Sequence, residues 1–497
     1  MGTVHAKEPA SIPKDIRSPL DDSIARKKND GLKDSDLSSH FNNYQDSALM
    51  DQPPPRRTKA IHLQKLKARV DKIHIDGLRR TKDDIIEAQV SELFKAHDFQ
   101  DVIIRAHKVQ GKLEALGCFT DVGVFIDTSE GPGATPDGVE VTFTVKEMKR
   151  LMGGVNTMVG NNEGSLIIGA RAPNIFGRGE RVQMEYSYGS KSSTNVNISV
   201  VKPFVDSWIH KVLTASIFNS TSDFPWSGYK LTENGFLLDM TVNSEELSGS
   251  KHNFQYEAAY REISAYKQAS FRVREQCGPN LKSALRHILS LDRRDESIFP
   301  TVGSLLQFTT EVAGLGGNIG FVKNELIMQN NWTLFDYFTI QLGVQSGLLR
   351  GISNDMQISI SDQFFLGGPL NLRGFEMRGC GPRHDGNSLG GDIYWAMALH
   401  LYTPLPFNRN HNSFMNLFRL HGFVNGGNLT NAALKFGGDY RENFKIFSDN
   451  VRCSAGGGLV MKLGNVARVE LNIVIPLMFL RSDLLQQFQF GIGLQYL

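Results

Sequence analysis

The most regular feature of this sequence is an alternation of apolar and polar side chains that recurs from about residue 151 onward. In RVQMEYSY, residues 181–188, every second side chain is apolar, and FTIQLGVQ at 338–345 has the same period. A period of two residues is typical of a β-strand with one apolar face. No helical pattern of comparable strength interrupts these stretches for long. The pattern therefore predicts a mainly β structure.

The alternating stretches predict about sixteen strands, and each is close to the roughly 9–11 residues that a tilted strand needs to cross a bilayer. An even number of such strands is typical of the antiparallel barrels of outer membranes. The predicted strands are residues 151–159, 165–172, 181–188, 195–202, 211–219, 235–244, 252–263, 281–292, 302–313, 320–330, 333–345, 391–402, 416–424, 452–462, 466–475 and 486–496.

Two architectures share this alternation. In a soluble sandwich or propeller the apolar face points to a core, whereas in a membrane barrel it meets lipid and the polar face lines a wet lumen. The period alone does not separate them. Two features favour an antiparallel transmembrane barrel: there is no blade-length repeat, and the last stretch, QFQFGIGLQYL at 487–497, would close a barrel without leaving an edge.

The region before these strands has a different character. Residues 1–60 are polar, charged and interrupted by DQPPPRR, so they are predicted to be a disordered tail. Residues 65–148 show the order β-α-α-β-β, which predicts one small α+β domain. The predicted organisation is therefore a tail, this small domain, and a barrel at 150–497.

Composition and charge narrow the classes of partner. The chain has 54 Lys and Arg against 52 Asp and Glu, a net charge of +2, so no electrostatic attraction to nucleic acid is predicted. No stretch reaches the roughly 18 consecutive apolar residues of a membrane-spanning helix. Residues 1–51 contain neither the apolar core of a secretory signal nor the acid-poor composition of a transit peptide.

Signatures of catalysis and metal binding are also missing from the sequence. Four cysteines lie far apart without a CxxC pair, which predicts neither a disulfide framework nor a metal site. HExxH and Walker motifs are absent. We therefore expect a protein that is not an enzyme and that uses no cofactor.

One long interval interrupts the series of strands. The segment at about 350–390 contains FFLGGPLNLRGFEMRGCGPRHDG. A loop of this length in a compact protein is usually functional or disordered, and its aromatic and aliphatic side chains argue against disorder. The sequence therefore predicts a loop that packs inward, inside the lumen.

These features together resemble a known family. A POTRA-like β-α-α-β-β module, a barrel of about sixteen strands and an Arg-Gly-Phe motif after the eleventh strand resemble the outer-membrane-protein insertase superfamily, to which bacterial BamA belongs. The chain is most similar to the mitochondrial branch, the central barrel subunit of the sorting and assembly machinery. The similarity lies in the single module, the missing secretory signal and the sequence LGGPLNLRGFEMRG.

The resemblance implies roles for two groups of residues. In this family the arginine of the loop motif contacts a wall motif of the form Phe-x-Asp-x-Gly. Asn425 stands here in the place of the aspartate, which predicts a weaker contact or a different acceptor, with Glu470 as the candidate. The loop motif is Arg373, Gly374 and Phe375, and the wall motif contains Phe423, Asn425 and Gly427.

The resemblance also implies a sorting signal in the final strand, of the form polar-x-Gly-x-x-hydrophobic-x-hydrophobic. The matching residues are Gln489, Gly491, Leu494 and Tyr496. It further implies a lateral gate, a weak seam between the first strand at 151–159 and the last at 486–496. Gly153, Gly154 and Gly493 would weaken packing at this seam, or would simply relieve crowding where the barrel closes.

The family's activity supplies the expected function. The resemblance implies that the chain inserts and assembles β-barrel precursor proteins in the mitochondrial outer membrane, by strand templating at the gate and together with accessory subunits of an assembly complex. It also implies that the small domain lies in the intermembrane space. The alternative is a polypeptide-translocating or porin-like channel.

Overall fold

The structure is a computed structural model that describes residues 4–7, 66–131, 133–160, 163–205, 210–244, 249–335, 337–405, 414–431, 445, 447–464, 467–493 and 497. The chain falls into two compact units. One comprises residues up to 79 together with 86–111 and 121–147, and the other comprises 80–85, 112–120 and 148–497.

The smaller unit is built on a four-stranded sheet with the order β1-β2-β4-β3, in which β2 runs parallel to β1 and to β4. Alternating apolar residues of β2 and β4, among them Ile73 and Val141, are fully buried. The elements that lie wholly or mostly in this unit are β1 (Val4–Lys7), β2 (Arg69–Asp76), α1 (Asp83–Val90), a 3-10 turn (Ser91–Lys95), α2 (Phe99–Ala115), β3 (Phe119–Thr128) and β4 (Gly138–Glu147).

Strand β1 corrects part of the prediction for the N-terminal tail. Residues 1–60 were predicted to be disordered throughout, yet Val4–Lys7 form a strand in which Val4 pairs with Ile73 and Ala6 with Ile75. Four alternating residues are too short a pattern to indicate a strand in the sequence. The remainder of the predicted tail lies outside the described residues.

The larger unit contains a sixteen-stranded antiparallel sheet in which each strand pairs with the strand of the same sheet that follows it along the chain. The predicted number of strands is therefore confirmed. The strands are β5 (Met152–Gly160), β6 (Glu163–Pro173), β7 (Arg181–Gly189), β8 (Thr194–Val205), β9 (His210–Phe224), β10 (Tyr229–Ser244), β11 (Ser250–Ala265), β12 (Gly278–Asp292), β13 (Gly303–Gly317), β14 (Phe321–Leu334), β15 (Phe338–Gly351), β18 (Ile393–Pro404), β19 (Phe418–Thr430), β20 (Arg452–Leu463), β21 (Ala467–Met478) and β22 (Phe488–Gly493).

Four short elements in the described part of the larger unit lie outside this sheet, and two of them are 3-10 turns at Pro225–Ser227 and Met415–Leu417. A five-residue helix, α3 (Phe271–Glu275), follows β11, and a small hairpin of β16 (Arg383–His384) and β17 (Asn387–Ser388) lies in the long segment between β15 and β18. No helix of the described residues has the length and apolar character needed to cross a membrane.

The two faces of the sheet differ in burial. Along β18, Ala396, Ala398 and His400 are buried, whereas the intervening Met397 and Leu399 are 43% and 52% exposed. One face thus carries exposed apolar side chains, and the other packs against the rest of the unit.

The first and last strands of the sheet lie side by side. Cα atoms of β5 and β22 come within 8 Å of each other. Among the described residues no ladder of hydrogen bonds joins these two strands. Within the described residues, the sheet therefore brings its two edges together without pairing them.

Candidate functional site

The segment between β15 and β18, called here the inner loop (residues 352–392), packs across the buried face of the large sheet. Its apolar side chains, including Leu366, Leu372 and Phe375, form a buried cluster with small residues of the strands such as Ala284 and Ala396. These alanines leave space for the loop on the face of the sheet. The long interval in the sequence is thus an ordered and largely buried segment.

Arg373 of the inner loop is fully buried against β21. Its guanidinium forms two parallel hydrogen bonds with the Glu470 carboxylate, from Nε at 3.0 Å and from Nη2 at 3.3 Å. The guanidinium carbon also lies 5.1 Å from the ring centre of Phe423. Such a bidentate pair fixes both the position and the plane of the arginine.

Glu470 accepts further hydrogen bonds from residues of its own strand. Arg468 donates to Oε1, and Nδ2 of Asn472 donates to Oε2 at 2.9 Å. The Glu470 side chain is completely buried, so these donors compensate for the loss of hydration of its charge. The carboxylate is therefore an acceptor already in place on β21 for the inner loop.

Asn425, on the neighbouring strand β19, holds the main chain of the loop and not the guanidinium. Its Nδ2 donates to the carbonyl oxygen of Arg373 at 3.3 Å, and the Ser454 hydroxyl donates to the same oxygen at 2.5 Å. A neutral amide suits a carbonyl acceptor, whereas the charge-assisted bond goes to the carboxylate of Glu470. The structure thus places Arg373 on Glu470 and Asn425 on the loop backbone.

The other two residues of the loop motif are fixed by the last strand. The Gln489 side chain of β22 accepts a hydrogen bond from the Gly374 N–H at 3.0 Å and donates to the Phe375 carbonyl at 2.6 Å. Gly374 has a φ of +92°, and a Cβ there would lie 2.9 Å from Val474. The motif therefore requires glycine at this position.

The chain just before β22 also pairs with the inner loop. Glu376 N–H donates to the Leu484 carbonyl at 2.9 Å, Leu484 N–H to the Gly379 carbonyl at 3.1 Å, and Gln486 N–H to the Gly374 carbonyl at 3.0 Å. These backbone bonds extend the contact with β22 into a short antiparallel pairing. The loop motif is thus tied both to β21 and to the approach to the last strand.

Comparisons with known proteins support a single family. Residues 174–496 match the family described as the Omp85 superfamily domain. The chain belongs to the Omp85 superfamily. It is 38% identical over the full length of both chains to "Sorting and assembly machinery component 50 homolog" of Xenopus tropicalis. It is 40% identical to the human homolog of the same name, with 86% of this chain and 90% of the relative covered.

A solved structure shows the same fold as this Omp85 chain. BamA from Haemophilus ducreyi lacking POTRA domains 1–3 superposes with a TM-score of 0.68, over 86% of this chain and 84% of that one, at 18% identity. At this identity the likeness concerns the fold alone. The fold is therefore BamA-like.

The remaining predicted residues of this Omp85 chain are placed as follows. Gly427 of β19 lies where an added Cβ would be 2.7 Å from the Trp395 carbonyl oxygen, so the wall strands approach closely there. Gly491 is paired with Glu470 in the ladder of β21 and β22. Gly153 and Gly154 belong to β5 and Gly493 to β22, at the two edges of the sheet. Leu494 and Tyr496 lie outside the described residues.

Two contacts of the site had no signal in the sequence. The pattern of the final strand identified Gln489 as the polar residue of a sorting signal, but it did not predict that this side chain is buried beneath the loop motif and bonded to it. Arg452 of β20 forms a bidentate pair with Asp483, in the connection from β21 to β22, at 3.0 and 3.1 Å. Both contacts join residues that are distant in sequence or that lie in an irregular connection.

Cys380, next to the loop motif, is fully buried in the apolar cluster. This burial raises the pKa of its thiol, so the reactive thiolate is disfavoured while the loop is docked. Alkylation of Cys380 would therefore report release of the inner loop.

Replacing Gln489 by Leu is expected to loosen the loop motif. The substitution leaves the Gly374 N–H and the Phe375 carbonyl without their partners, at a cost of about 1–3 kcal/mol. We expect faster alkylation of Cys380 in a chain whose other three cysteines are replaced by serine. The matched control is Gln487→Leu, the same change at an exposed position two residues earlier. Equal alkylation rates in the two variants would contradict the role given to Gln489.

Proposed function

We propose that the sixteen-stranded sheet closes into a transmembrane barrel and that this chain inserts β-barrel precursor proteins into the mitochondrial outer membrane, without enzymatic chemistry. The single observation that carries the proposal is the contact of β5 with β22, which no ladder joins in the described part of the two strands, in a chain of the Omp85 superfamily. The relatives named as sorting and assembly machinery components support the mitochondrial setting.

The exposed face of the strands supports insertion in a lipid bilayer. Along β21, Ile473, Ile475 and Leu477 are 64%, 64% and 58% exposed, while Asn472 and Val474 on the alternate face are buried. Rows of largely exposed apolar side chains are unfavourable in water and suit a hydrocarbon environment. We therefore assign this face to lipid and the opposite face to the lumen.

The edges of the sheet support a seam that can open. In β5, residues 153–158 are all exposed, in contrast to the alternating burial of residues 396–402 in β18. The described part of β22 pairs with β21 over six residues only, Phe488–Gly493 opposite 468–473, and the chain before it pairs with the inner loop. The edge of β5 thus has hydrogen-bonding groups available for another strand.

Strand addition at this seam gives a mechanism for insertion. In hydrocarbon, every unpaired backbone group costs several kcal/mol, so a precursor strand needs a partner as it enters the membrane. The edge of β5 would provide that partner by backbone pairing, which is largely independent of sequence. Gly153, Gly154 and Gly493 would ease separation of β5 from β22, because glycine adds little side-chain packing.

The remaining parts of the chain receive roles consistent with this mechanism. We assign residues 65–148 to a POTRA-like domain in the intermembrane space, where its sheet edges would receive precursors, and residues 150–497 to the barrel. Gln489, Gly491, Leu494 and Tyr496 would form the chain's own sorting signal. Precursor proteins, accessory subunits of an assembly complex and the bilayer are the expected partners.

Crosslinking in isolated mitochondria tests the proposal. Single cysteines along residues 153–158 of β5 are combined with a single cysteine in the last strand of an arriving precursor, in a chain without its own cysteines. We expect crosslinks at every second position of β5, because paired strands present alternate side chains to the same face. The same scan along residues 306–311 of β13, in the middle of the sheet, is the control.

Two other patterns would lead to different conclusions. Crosslinks at inward positions of many strands, including β13, would indicate passage through the lumen and favour a translocating channel. No crosslink at any position of β5 during assembly would reject strand addition at this edge.

A further inference from the structure

A second group of buried charges holds the inner loop, at a place remote from Arg373. The Asp362 carboxylate accepts hydrogen bonds from Nη1 of Arg261 at 2.9 Å and from Nζ of Lys282 at 3.3 Å. Lys323 Nζ donates to the main-chain oxygen of Asp362 at 2.8 Å. Three cations from β11, β12 and β14 thus converge on one residue of the loop.

The strand side chains of this group are held in place by acids of the wall. Arg261 also pairs with Glu233 at 2.7 Å and Glu257 at 3.3 Å, and Lys282 pairs with Glu311 at 2.5 Å. The side chains of Arg261, Lys282 and Asp362 are only 9%, 2% and 5% exposed. The wall carboxylates therefore hold Arg261 and Lys282 in place without the loop, and Asp362 adds one further carboxylate to both cations.

Apolar packing reinforces the contact on either side of Asp362. Ile360 is buried in a cluster with Tyr229 and Leu231 of β10. Phe364 packs on Tyr394, with ring centres 4.6 Å apart, and lies beneath the Lys323 ammonium at 4.4 Å. The segment around Asp362 is thus bound to the middle strands of the sheet by charge and by packing.

The two groups of charges share no residue and contact different parts of the sheet. Arg373 binds Glu470 on β21, next to the last strand, whereas Asp362, eleven positions earlier in the chain, binds β11 and β12. The inner loop therefore connects strand β21, next to the edge of the sheet, with strands β11 and β12 in the middle of the sheet.

We propose that Asp362 is a second anchor of the inner loop, a positioning residue that keeps the loop on the β11–β14 wall independently of Arg373. This inference rests on the proposed function. The anchor keeps the loop bound to the middle strands of the barrel while the strands beside the seam separate for a precursor. Asp362 acts through the loop and does not touch the precursor.

The experiment compares variants of the full-length chain in isolated mitochondria. Asp362→Asn keeps the size of the side chain but removes its charge, and Asp362→Glu keeps the charge. Asp355→Asn is the matched control, because Asp355 is an exposed carboxylate of the same loop. Arg261→Gln weakens the anchor from the strand side and provides a second, independent variant.

Alkylation of a cysteine at position 359 reports the anchor directly, without any precursor. Ser359 is buried and lies three positions before Asp362 in the chain. Serine and cysteine are similar in size, so the cysteine is expected to fit there. In a chain with this single cysteine, we expect Asp362→Asn to accelerate labelling about tenfold or more, because loss of a buried partner promotes local opening. Asp362→Glu is expected to restore much of the protection, and Asp355→Asn to leave the rate unchanged.

Assembly of an added precursor is measured in parallel. Slower assembly in Asp362→Asn and Arg261→Gln, together with exposure of position 359, supports the anchor. Unchanged labelling of position 359 in both variants overturns it, and so does exposure of position 359 with normal assembly. Absence of precursor assembly in the parent chain would instead count against the proposed function, while the labelling comparison would still decide whether the anchor exists.

Discussion

Replacement of Arg373 by Gln should remove most of the precursor assembly activity of this chain. The substitution leaves the fully buried Glu470 carboxylate with Arg468 and Asn472 as donors but without the loop. Loss of one partner of a buried pair costs about 3–5 kcal/mol, which is enough to release a loop of marginal local stability. We expect assembly of a radiolabelled precursor in isolated mitochondria to slow at least about tenfold.

Two further variants distinguish the effect of losing the contact between Arg373 and Glu470 from the effect of losing any positive charge of the loop. Arg383→Gln is the control, because Arg383 lies in the hairpin of the same loop and, within the described part of the chain, donates only to carbonyl oxygens of Arg378 and Gly386. Arg373→Lys keeps the charge but cannot form the two parallel bonds to Glu470, so intermediate activity is expected. Normal assembly in Arg373→Gln, at wild-type protein levels, would show that the loop motif is not needed for function.

The sequence pattern was sufficient for the number of strands but not for all of their ends. Strand β10 was predicted to begin at residue 235, whereas it begins at Tyr229. Tyr229 and Leu231 are buried on the inner face, under the loop, whereas Phe236 and Leu238 are exposed on the opposite face. The apolar face of the strand thus changes sides along its length, because the loop covers one end of it. A prediction based on one continuous apolar face therefore begins the strand at residue 235 and misses its first residues.

The candidate site shows a similar division. The composition and position of the inner loop were sufficient to predict an ordered, inward-packed segment, and the family pattern identified Arg373 and its possible acceptors. The choice between Asn425 and Glu470 depends on the distance of each from the guanidinium, which no sequence pattern contains. Contacts of Gln489 and Asp362 join residues about a hundred positions apart, so only the folded sheet brings them together.

The connection between β21 and β22 should be as important for stability as the loop motif. Asp483 forms a bidentate pair with Arg452 of β20, accepts a hydrogen bond from the Leu480 N–H, and both charged side chains are buried. This pair fixes the turn just before the residues that hydrogen-bond to the inner loop. Its loss would therefore disturb the last strand and the loop together.

Replacing Asp483 by Asn is expected to lower the free energy of unfolding by about 3 kcal/mol or more, since Arg452 is left buried without a counter-charge. The temperature of unfolding of the purified protein in detergent, followed by tryptophan fluorescence, measures this effect. Asp449→Asn, at an exposed position in the connection between β19 and β20, is the matched control. If the two variants unfold at the same temperature, the pair of Arg452 and Asp483 does not hold the last strand. If only Asp483→Asn is destabilised and Cys380 becomes reactive at the same time, the final connection, the inner loop and the seam behave as one coupled unit.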